Sequence, residues 1–285
     1  MAASTSAVCL NCGAALSGPY CARCGQKSSP RDLTLGGFLH ETTHELTHWD
    51  GKVPATLKAL FLKPGLLTAD FLAGRRARWL TPLRVYLICS VALFGGRAVI
   101  EETGLRTTRD VAGVTFVRRD AAGPLTPEER ELYETSPLSR IFGVDRLERA
   151  TRDPKRFNRE FEAALPKAMF ILLPLFALLS NAAWRKTQRR YPAHLYVALH
   201  IHAAIFGAFL ILSIVVGLVP SRTIAAIAGV LFACYLVWYG LVAFHTVFGD
   251  SWPTTIVKGI AVGLIYDLCL FAVLFGFLAY AVLRM

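Results

Sequence analysis

The stretch TIVKGIAVGLIYDLCLFAVLFGFLAYAV, residues 255–282, decides the fold class of this chain. A helix of about 20 apolar residues crosses a bilayer, and this stretch exceeds that length while holding only one lysine and one aspartate. The chain of 285 residues is 54% hydrophobic, which is too apolar for a soluble domain of this size. The sequence therefore predicts an all-α integral membrane protein.

Further apolar stretches precede this one, so that about five transmembrane helices are predicted. They lie near residues 82–100, 165–183, 194–219, 222–248 and 255–282, and the first is the weakest because Gly95, Gly96 and Arg97 interrupt its end. The loop after the second stretch is basic, with Arg185, Lys186, Arg189 and Arg190, which predicts a cytosolic location. The N-terminus is then cytosolic, and residues 101–164 and the C-terminus lie on the other side of the membrane.

The net charge of +11 is concentrated beside the apolar stretches. Residues 101–164 are close to neutral, whereas the basic residues cluster before the first span and in the loop at 185–190. This distribution is typical of the positive-inside rule and favours anionic lipid headgroups as partners over nucleic acid.

Four cysteines near the N-terminus form a metal-binding pattern. Cys9, Cys12, Cys21 and Cys24 make two C-x2-C pairs, each followed by a glycine that permits a tight turn. Four thiolates suit a closed tetrahedral Zn(2+) site, and a redox-active dithiol is the alternative. We therefore predict a small cytosolic zinc ribbon over residues 1–28, with no open position for substrate.

Residues 29–81 are predicted to form amphipathic juxtamembrane helices. Leu66, Phe71, Trp79 and Leu80 are placed to dip into lipid, while Arg75, Arg76 and Arg78 are candidate contacts for lipid headgroups. The flank of a membrane anchor without a specific lipid site is the alternative interpretation. Residues 82–285 form the transmembrane domain, in which the extracytoplasmic loop at 101–164 is predicted to be helical.

The segment HETTHELTH, residues 40–48, repeats the HExxH signature of zinc proteases. On a helix, His40, His44 and His48 lie opposite Leu35, Leu39, Leu46 and Trp49, so they form the polar face of an amphipathic helix. No downstream acidic residue stands out as a third ligand, and we interpret the stripe as a solvated face.

Ionisable residues inside the spans are a second candidate site, because such residues are costly in lipid. The residues are His194, His200, His202, His245 and Asp267. The four histidines share the cytosolic half of the membrane. They are interpreted as neutral side chains hydrogen-bonded between helices, with a proton- or metal-linked pathway as the alternative.

Three stretches carry a resemblance to a known family: CLNCGAALSGPYCARCGQ (9–26), HWDGKVPATLKALFLKPG (48–65) and DFLAGRRARWLTPLRVYL (70–87). Together they resemble the bacterial domain-of-unknown-function family 3667, and the similarity continues through residues 165–179, 191–206 and 248–259. The matching positions are Cys9, Cys12, Cys21, Cys24, His48, Asp50, Pro64, Gly65, Gly74, Arg76, Arg78, Pro82, His194, His200 and His202. The resemblance implies a bacterial inner-membrane protein, and it implies no reaction. In such a membrane, the topology expected from the basic residues makes the C-terminus periplasmic.

Three functional hypotheses follow from the sequence. The leading one is a non-enzymatic interaction or regulatory protein whose cytosolic zinc head binds a protein partner. The second is a small proton- or metal-linked transporter or channel that uses the histidines of the spans. The third is a membrane metalloenzyme, which is the least favoured because no nucleophile triad, phosphate loop or pair of catalytic carboxylates is present.

Overall fold

A computed structural model describes residues 8–28, 51–102, 126–152, 154–218 and 221–284. Within these ranges the chain folds into helices apart from the cysteine-rich segment. The helices are α1 (Val53–Leu62), α2 (Leu66–Leu72), α3 (Pro82–Glu102), α4 (Pro127–Thr135), α5 (Pro137–Phe142), α6 (Val144–Arg152), α7 (Pro154–Trp184), α8 (Tyr191–Leu218), α9 (Arg222–Phe248) and α10 (Trp252–Leu283). The predicted all-α membrane fold is confirmed.

Four of the helices in the described ranges are long and apolar enough to cross a membrane. They are α8, α9, α10 and the part of α7 from Ala163 to Trp184. The predicted first span also forms a helix, α3, which has 21 residues and is apolar over Pro82–Gly96, the part whose side chains the structure describes. At 1.5 Å per residue the whole helix is about 32 Å long, close to the hydrocarbon core of about 30 Å.

The structure divides into two compact units, and the first contains residues 1–112 and 173–263. Helix α8 lies at its centre, and α3 and α9 pack along it. The N-terminal half of α8 is buried from Pro192 to Ala204, including His194, His200 and His202. Helix α8 is apolar on all sides, as expected of a helix surrounded by other helices.

Helices α1 and α2 form a hairpin that packs against α8 and α9 in this unit. The turn between them contains Pro64 and Gly65, and Gly65 has a φ of 80°. A Cβ atom at Gly65 would lie 2.8 Å from the backbone oxygen of Ala243 in α9, so only glycine permits this close approach. At the end of α1, the ring of Phe61 occupies the space that a side chain at Gly207 in α8 would need. The hairpin is therefore an integral part of the helix bundle.

Three side chains that were expected to enter lipid are instead buried within the protein. Phe71, Trp79 and Leu80 are 2%, 6% and 3% exposed. Phe71 packs edge-on against Tyr196 of α8, with 5.2 Å between ring centroids. The prediction was wrong for these residues because an apolar helix face can be covered by a neighbouring helix as well as by lipid.

The second unit contains residues 113–172 and 264–285. Its core includes Phe142 and Leu147, which pack against Ala281 and Val282 of α10. Three short helices, α4, α5 and α6, cover residues 127–152 of the loop at 101–164 and pack on one another. The side of the membrane on which this loop lies stays a prediction.

Candidate metal centre and the loop that holds it

The four N-terminal cysteines converge on one point. Their sulfur atoms all lie within 4.8 Å of one another, with 3.6 Å between Cys9 Sγ and Cys24 Sγ and 3.5 Å between Cys12 Sγ and Cys21 Sγ. A tetrahedral zinc site with Zn–S bonds of about 2.3 Å requires sulfur atoms about 3.8 Å apart. These separations fit a single tetrahedral ion and are too long for disulfide bonds, and the four thiols are free.

Each C-x2-C pair has the same backbone arrangement, although the two pairs differ in sequence. The N–H groups of Gly13 and Gly25 donate to the carbonyl oxygens of Cys9 and Cys21 over 2.8 Å, and both glycines have a φ of 72°. A β-bridge closes each turn, Val8 with Ala15 and Tyr20 with Lys27. The repeated left-handed glycine aims both sulfur atoms of a pair inward, as the sequence pattern predicted.

The thiols differ in acidity before any metal binds. Backbone N–H groups of Cys24 and Arg23 point at the sulfur of Cys21 and lower the pKa of this thiol to about 6. At Cys12, a backbone hydrogen bond at Ala14 lowers the pKa of the thiol, whereas burial and the three neighbouring thiols raise it. The raising effects are larger, and the pKa of Cys12 is about 11. Negative charge therefore forms at Cys21 before it forms at Cys12, and a bound cation would draw further protons from the cluster.

The cysteine cluster is fixed to the body of the protein by Gln26. The side-chain nitrogen of Gln26 donates to the carbonyl oxygen of Gly74 over 2.8 Å. Its side-chain oxygen accepts from the backbone N–H groups of Arg76 and Ala77 over 3.0 and 3.1 Å. Leu10 also packs on Gly74, where a Cβ atom would lie 2.7 Å from the Leu10 side chain. The sequence analysis did not identify Gln26, although it ends the first of the stretches that carry the resemblance.

The loop that receives Gln26 is shaped by a buried carboxylate, Asp70. One oxygen of Asp70 accepts from Arg75 Nη2 and Nε over 2.7 and 3.0 Å, and the other accepts from Trp79 Nε1 over 2.7 Å. Asp70 is only 4% exposed, so its charge needs these donors. The backbone N–H of Arg75 also donates to the carbonyl of Asp70 over 2.8 Å. Sequence analysis missed Asp70, whose partners follow within ten residues.

The three arginines of this loop already have intramolecular contacts. Arg75 pairs with Asp70, and the guanidinium of Arg78 lies 4.5 Å from the Trp79 ring centroid. Arg76 donates to the carbonyl of Phe71 over 3.1 Å and lies over the Phe71 ring, and its partial burial lowers its pKa. Arg75 and Arg78 are still exposed to solvent, so their predicted role in contacting lipid headgroups stays a prediction.

The histidines of the predicted intramembrane site each have a different partner. His194 is hydrogen-bonded to Ser180 Oγ and to the carbonyl of Gln188, at 2.9 and 3.0 Å, and His202 to the carbonyl of Ala198 at 2.8 Å. His200 Nδ1 is 2.8 Å from Thr68 Oγ1 of α2, whereas its buried Nε2 has no hydrogen-bond partner among the described residues.

In the described part of the chain, no three of these residues lie close enough together for one metal ion; only the cysteines do. Asp267 is exposed in the middle of α10.

A polar cluster that the sequence analysis did not assign lies where α9 ends and α10 begins. Asp250 accepts from Lys258 Nζ over 2.6 Å and from Thr187 Oγ1 over 3.3 Å, and the hydrogen bond to Lys258 lowers the pKa of the carboxyl group. His245 Nδ1 is 2.8 Å from the Asp250 carbonyl, and its ring stacks on Trp252 with centroids 4.0 Å apart. The cluster ties the basic loop at 185–190 to the loop at 249–251.

The HETTHELTH segment and Asp50 lie outside the described residues. The interpretation of His40, His44 and His48 as a solvated stripe therefore stays a prediction.

Comparisons with known proteins bear on the same loop and hairpin. The model of the family described as "Protein of unknown function (DUF3667)" matches residues 50–94. The matched segment contains α1, α2, the loop with Gly74–Trp79 and the first half of α3. Comparison with curated proteins gave no match, and neither did comparison with solved structures.

Proposed function

We propose that this chain, whose residues 50–94 match the model of the DUF3667 family, is a bacterial inner-membrane protein with a regulatory zinc head. In this proposal Cys9, Cys12, Cys21 and Cys24 hold one Zn(2+) ion, and the loaded ribbon binds a protein partner on the cytosolic side. The observation that carries the proposal is the attachment of the four-cysteine cluster to the loop of the matched segment through Gln26.

The composition of the cluster supports a binding role over a catalytic one. Four thiolates fill a tetrahedral coordination shell and leave no position for substrate or water. Zinc would supply folding energy here, because a segment of this size has no apolar core of its own. Cys9 and Cys21 are 4% and 2% exposed, so a partner would contact the surface of the ribbon and not the sulfur atoms.

The attachment of the ribbon supports a regulatory role. Gln26 fixes the ribbon to the loop, and Asp70 fixes the loop to the hairpin that packs among the helices. A partner that pulls on the ribbon would therefore act on the hairpin and on α8 through direct contacts. This chain of contacts is a physical route between the head and the membrane body.

Topology and lipid contacts follow from the charge distribution. Four exposed basic residues connect α7 to α8 and support a cytosolic location for these helix ends: Arg185, Lys186, Arg189 and Arg190. A reducing cytosol also keeps the four thiols available for metal. The same side holds Arg75 and Arg78, whose exposed guanidinium groups are available to anionic headgroups.

The alternative, a proton- or metal-linked transporter, has one specific observation in its favour. His200 is 3% exposed, and its Nε2 atom is buried without a hydrogen-bond partner in the part of the chain that the structure describes. A buried histidine with one free nitrogen can accept and release a proton or bind a metal. The scattering of the other histidines makes this the second choice.

Complementation of a deletion strain separates the two functions. The regulatory proposal predicts that Cys12→Ser, Cys24→Ser and Gln26→Ala lose function while reaching the membrane at normal abundance. It also predicts that His200→Gln and His202→Gln retain function. The reverse pattern, in which the histidine variants fail and the ribbon variants work, contradicts the regulatory proposal and supports the transporter.

A further inference from the structure

Asp267 is exposed on the surface of a helix that is long enough to cross the membrane. It lies 15 residues beyond Trp252, about 22 Å along α10. Among the described residues it has no hydrogen-bond or ion-pair partner, and its neighbours Leu264, Leu268 and Phe271 are also exposed. An ionisable side chain at this depth normally faces other protein, because a charge in hydrocarbon is costly. A single copy of the chain leaves this requirement unmet.

Helix α10 as a whole has few partners in a single copy. Only 6% of its apolar stretch is buried, compared with 39% for α7 and for α8. A helix with an entirely apolar surface can face lipid without further partners. The aspartate on α10 makes exposure of this surface to lipid energetically costly. The side of α10 that carries Asp267 is therefore an interaction surface.

A second exposed charge, of the opposite sign, lies on α7. Lys167 is exposed, has no described hydrogen-bond or ion-pair partner, and is flanked by Phe170 and Ile171, which are 82% and 55% exposed. It lies 17 residues before Trp184, about 26 Å along α7. The adjoining ends of α7 and α10 are level with each other, because Thr187 is hydrogen-bonded to Asp250. Counted from these ends, Lys167 lies 17 residues along α7 and Asp267 lies 15 residues along α10, a difference of two residues or about 3 Å along the helices.

We propose that two copies of the chain associate within the membrane, with Lys167 of each copy paired to Asp267 of the other. A two-fold axis makes the two ion pairs equivalent, as in most homodimers. Helices α7 and α10 run in opposite directions through the membrane, so α7 of one copy lies antiparallel to α10 of the second. The exposed apolar residues beside each charge then pack in the same interface.

The occupant is a second copy because the chain itself supplies both members of the pair. Each charge lacks a partner among the described residues of its own chain, and each finds the opposite charge at a similar distance along the facing helix of another copy. Pairing shields both ions from lipid at once, whereas a single copy exposes one charge of each sign. This inference is independent of the zinc head and of its function.

A charge exchange tests the proposal. Two differently tagged copies are expressed together, extracted, reconstituted in nanodiscs and purified through one tag, and the recovery of the other tag is measured. Asp267→Lys in both copies should reduce co-purification at least about tenfold, and so should Lys167→Asp. The double variant Lys167→Asp/Asp267→Lys should restore it, which also shows that the single variants failed through charge and not through folding. Lys58→Asp, an equal change at an exposed position of α1, should leave co-purification unchanged.

Cysteine cross-linking checks the antiparallel arrangement. In this geometry Ala163 of one copy lies level with Phe271 of the second copy. One tagged copy carries Ala163→Cys and the other carries Phe271→Cys, both with Cys234 and Cys269 replaced by alanine. Oxidation should join the two tags, whereas two copies that both carry Phe271→Cys should stay separate.

Several outcomes overturn the proposal. Recovery of a wild-type monomer alone in nanodiscs would do so, and so would full association of Lys167→Asp. Cross-linking only between two copies of Phe271→Cys would indicate that the aspartates meet each other. A charge exchange that fails to restore association would place the partner of Asp267 in another protein.

Discussion

The side chain of Gln26 is hydrogen-bonded to the backbone of Gly74, 48 residues further along the chain. Gln26 also directly follows Gly25, the glycine that completes the second cysteine pair. The position of its amide therefore depends on how the metal cluster is folded. The geometry of a metal site is thus connected through one side chain to the loop that precedes α3.

Replacement of Gln26 by alanine should release the ribbon from this loop. The backbone N–H groups of Arg76 and Ala77 lose their acceptor in Gln26→Ala, so their amide hydrogens should exchange faster. Hydrogen exchange measured by mass spectrometry over residues 74–79 checks this result. Ser28→Ala is a matched control, because it removes one hydrogen bond within the ribbon, to the carbonyl of Gly18. Unchanged protection of the Arg76 and Ala77 amides in Gln26→Ala would contradict the attachment.

Removal of the carboxylate at Asp70 should destabilise the loop strongly. Asp70→Ala leaves the donors of Arg75 and Trp79 without their acceptor, and we expect a loss of about 2–3 kcal/mol in the free energy of unfolding. The value is at the lower end for a buried pair because Arg75 is half exposed, with 47% of its side chain accessible. Denaturant titration of the detergent-solubilised protein measures the difference.

Asp145→Ala is the control for this change. Its carboxylate is 86% exposed and makes only a long ion pair with Arg130, so the expected effect is within about 0.5 kcal/mol. Equal changes in the free energy of unfolding in the two variants would show that the Asp70 interactions make no net contribution to stability.

The zinc content of the protein should depend on the four N-terminal cysteines alone. Elemental analysis of the purified protein should find one zinc per chain, and Cys12→Ala or Cys24→Ala should abolish it. Because the ribbon has no apolar core, a chelator should produce the same faster exchange over residues 74–79 as Gln26→Ala. Cys234→Ala, a change at an exposed position of α9, should retain full zinc. Loss of the ion in His40→Ala/His44→Ala with all four cysteines intact would overturn the assignment.

Reporter fusions should reveal whether α3 crosses the membrane. Reporters that work only in the periplasm, fused after residue 130 or residue 285, should be active, and a fusion after residue 187 should be silent. This result requires α3 to cross the membrane, and its 21 residues, about 32 Å long, are close to the thickness of the hydrocarbon core. A silent reporter at residue 130 would mean that α3 stays on the cytosolic side and that four helices cross.

The parts of this protein that could be predicted from sequence depend on local patterns. The cysteine cluster is set by spacing and two glycines, and the long helices by continuous apolar length, so both were identified correctly. Gln26 and Asp70 were missed for different reasons. Gln26 acts through a contact 48 residues away, which no local pattern encodes. The partners of Asp70 are near in sequence, but its burial depends on the packing of the whole hairpin.

The burial of Phe71 and Trp79 shows another limit of sequence reasoning. Hydrophobicity alone does not distinguish a face that meets lipid from a face that meets a neighbouring helix, because both environments are apolar. The distinction depends on the tertiary arrangement of α8 and α9, which follow more than a hundred residues later in the chain.

The hydrogen bond between Thr68 and His200 has a consequence for synthesis on the ribosome, because 132 residues separate the two side chains. At 5–20 residues per second, roughly 7–26 s pass between the emergence of Thr68 and that of His200. During this interval the nascent hairpin lacks the helices that later cover Phe71 and Leu67. The growing chain must therefore shelter these side chains in the bilayer surface, an insertase or a chaperone before α8 arrives.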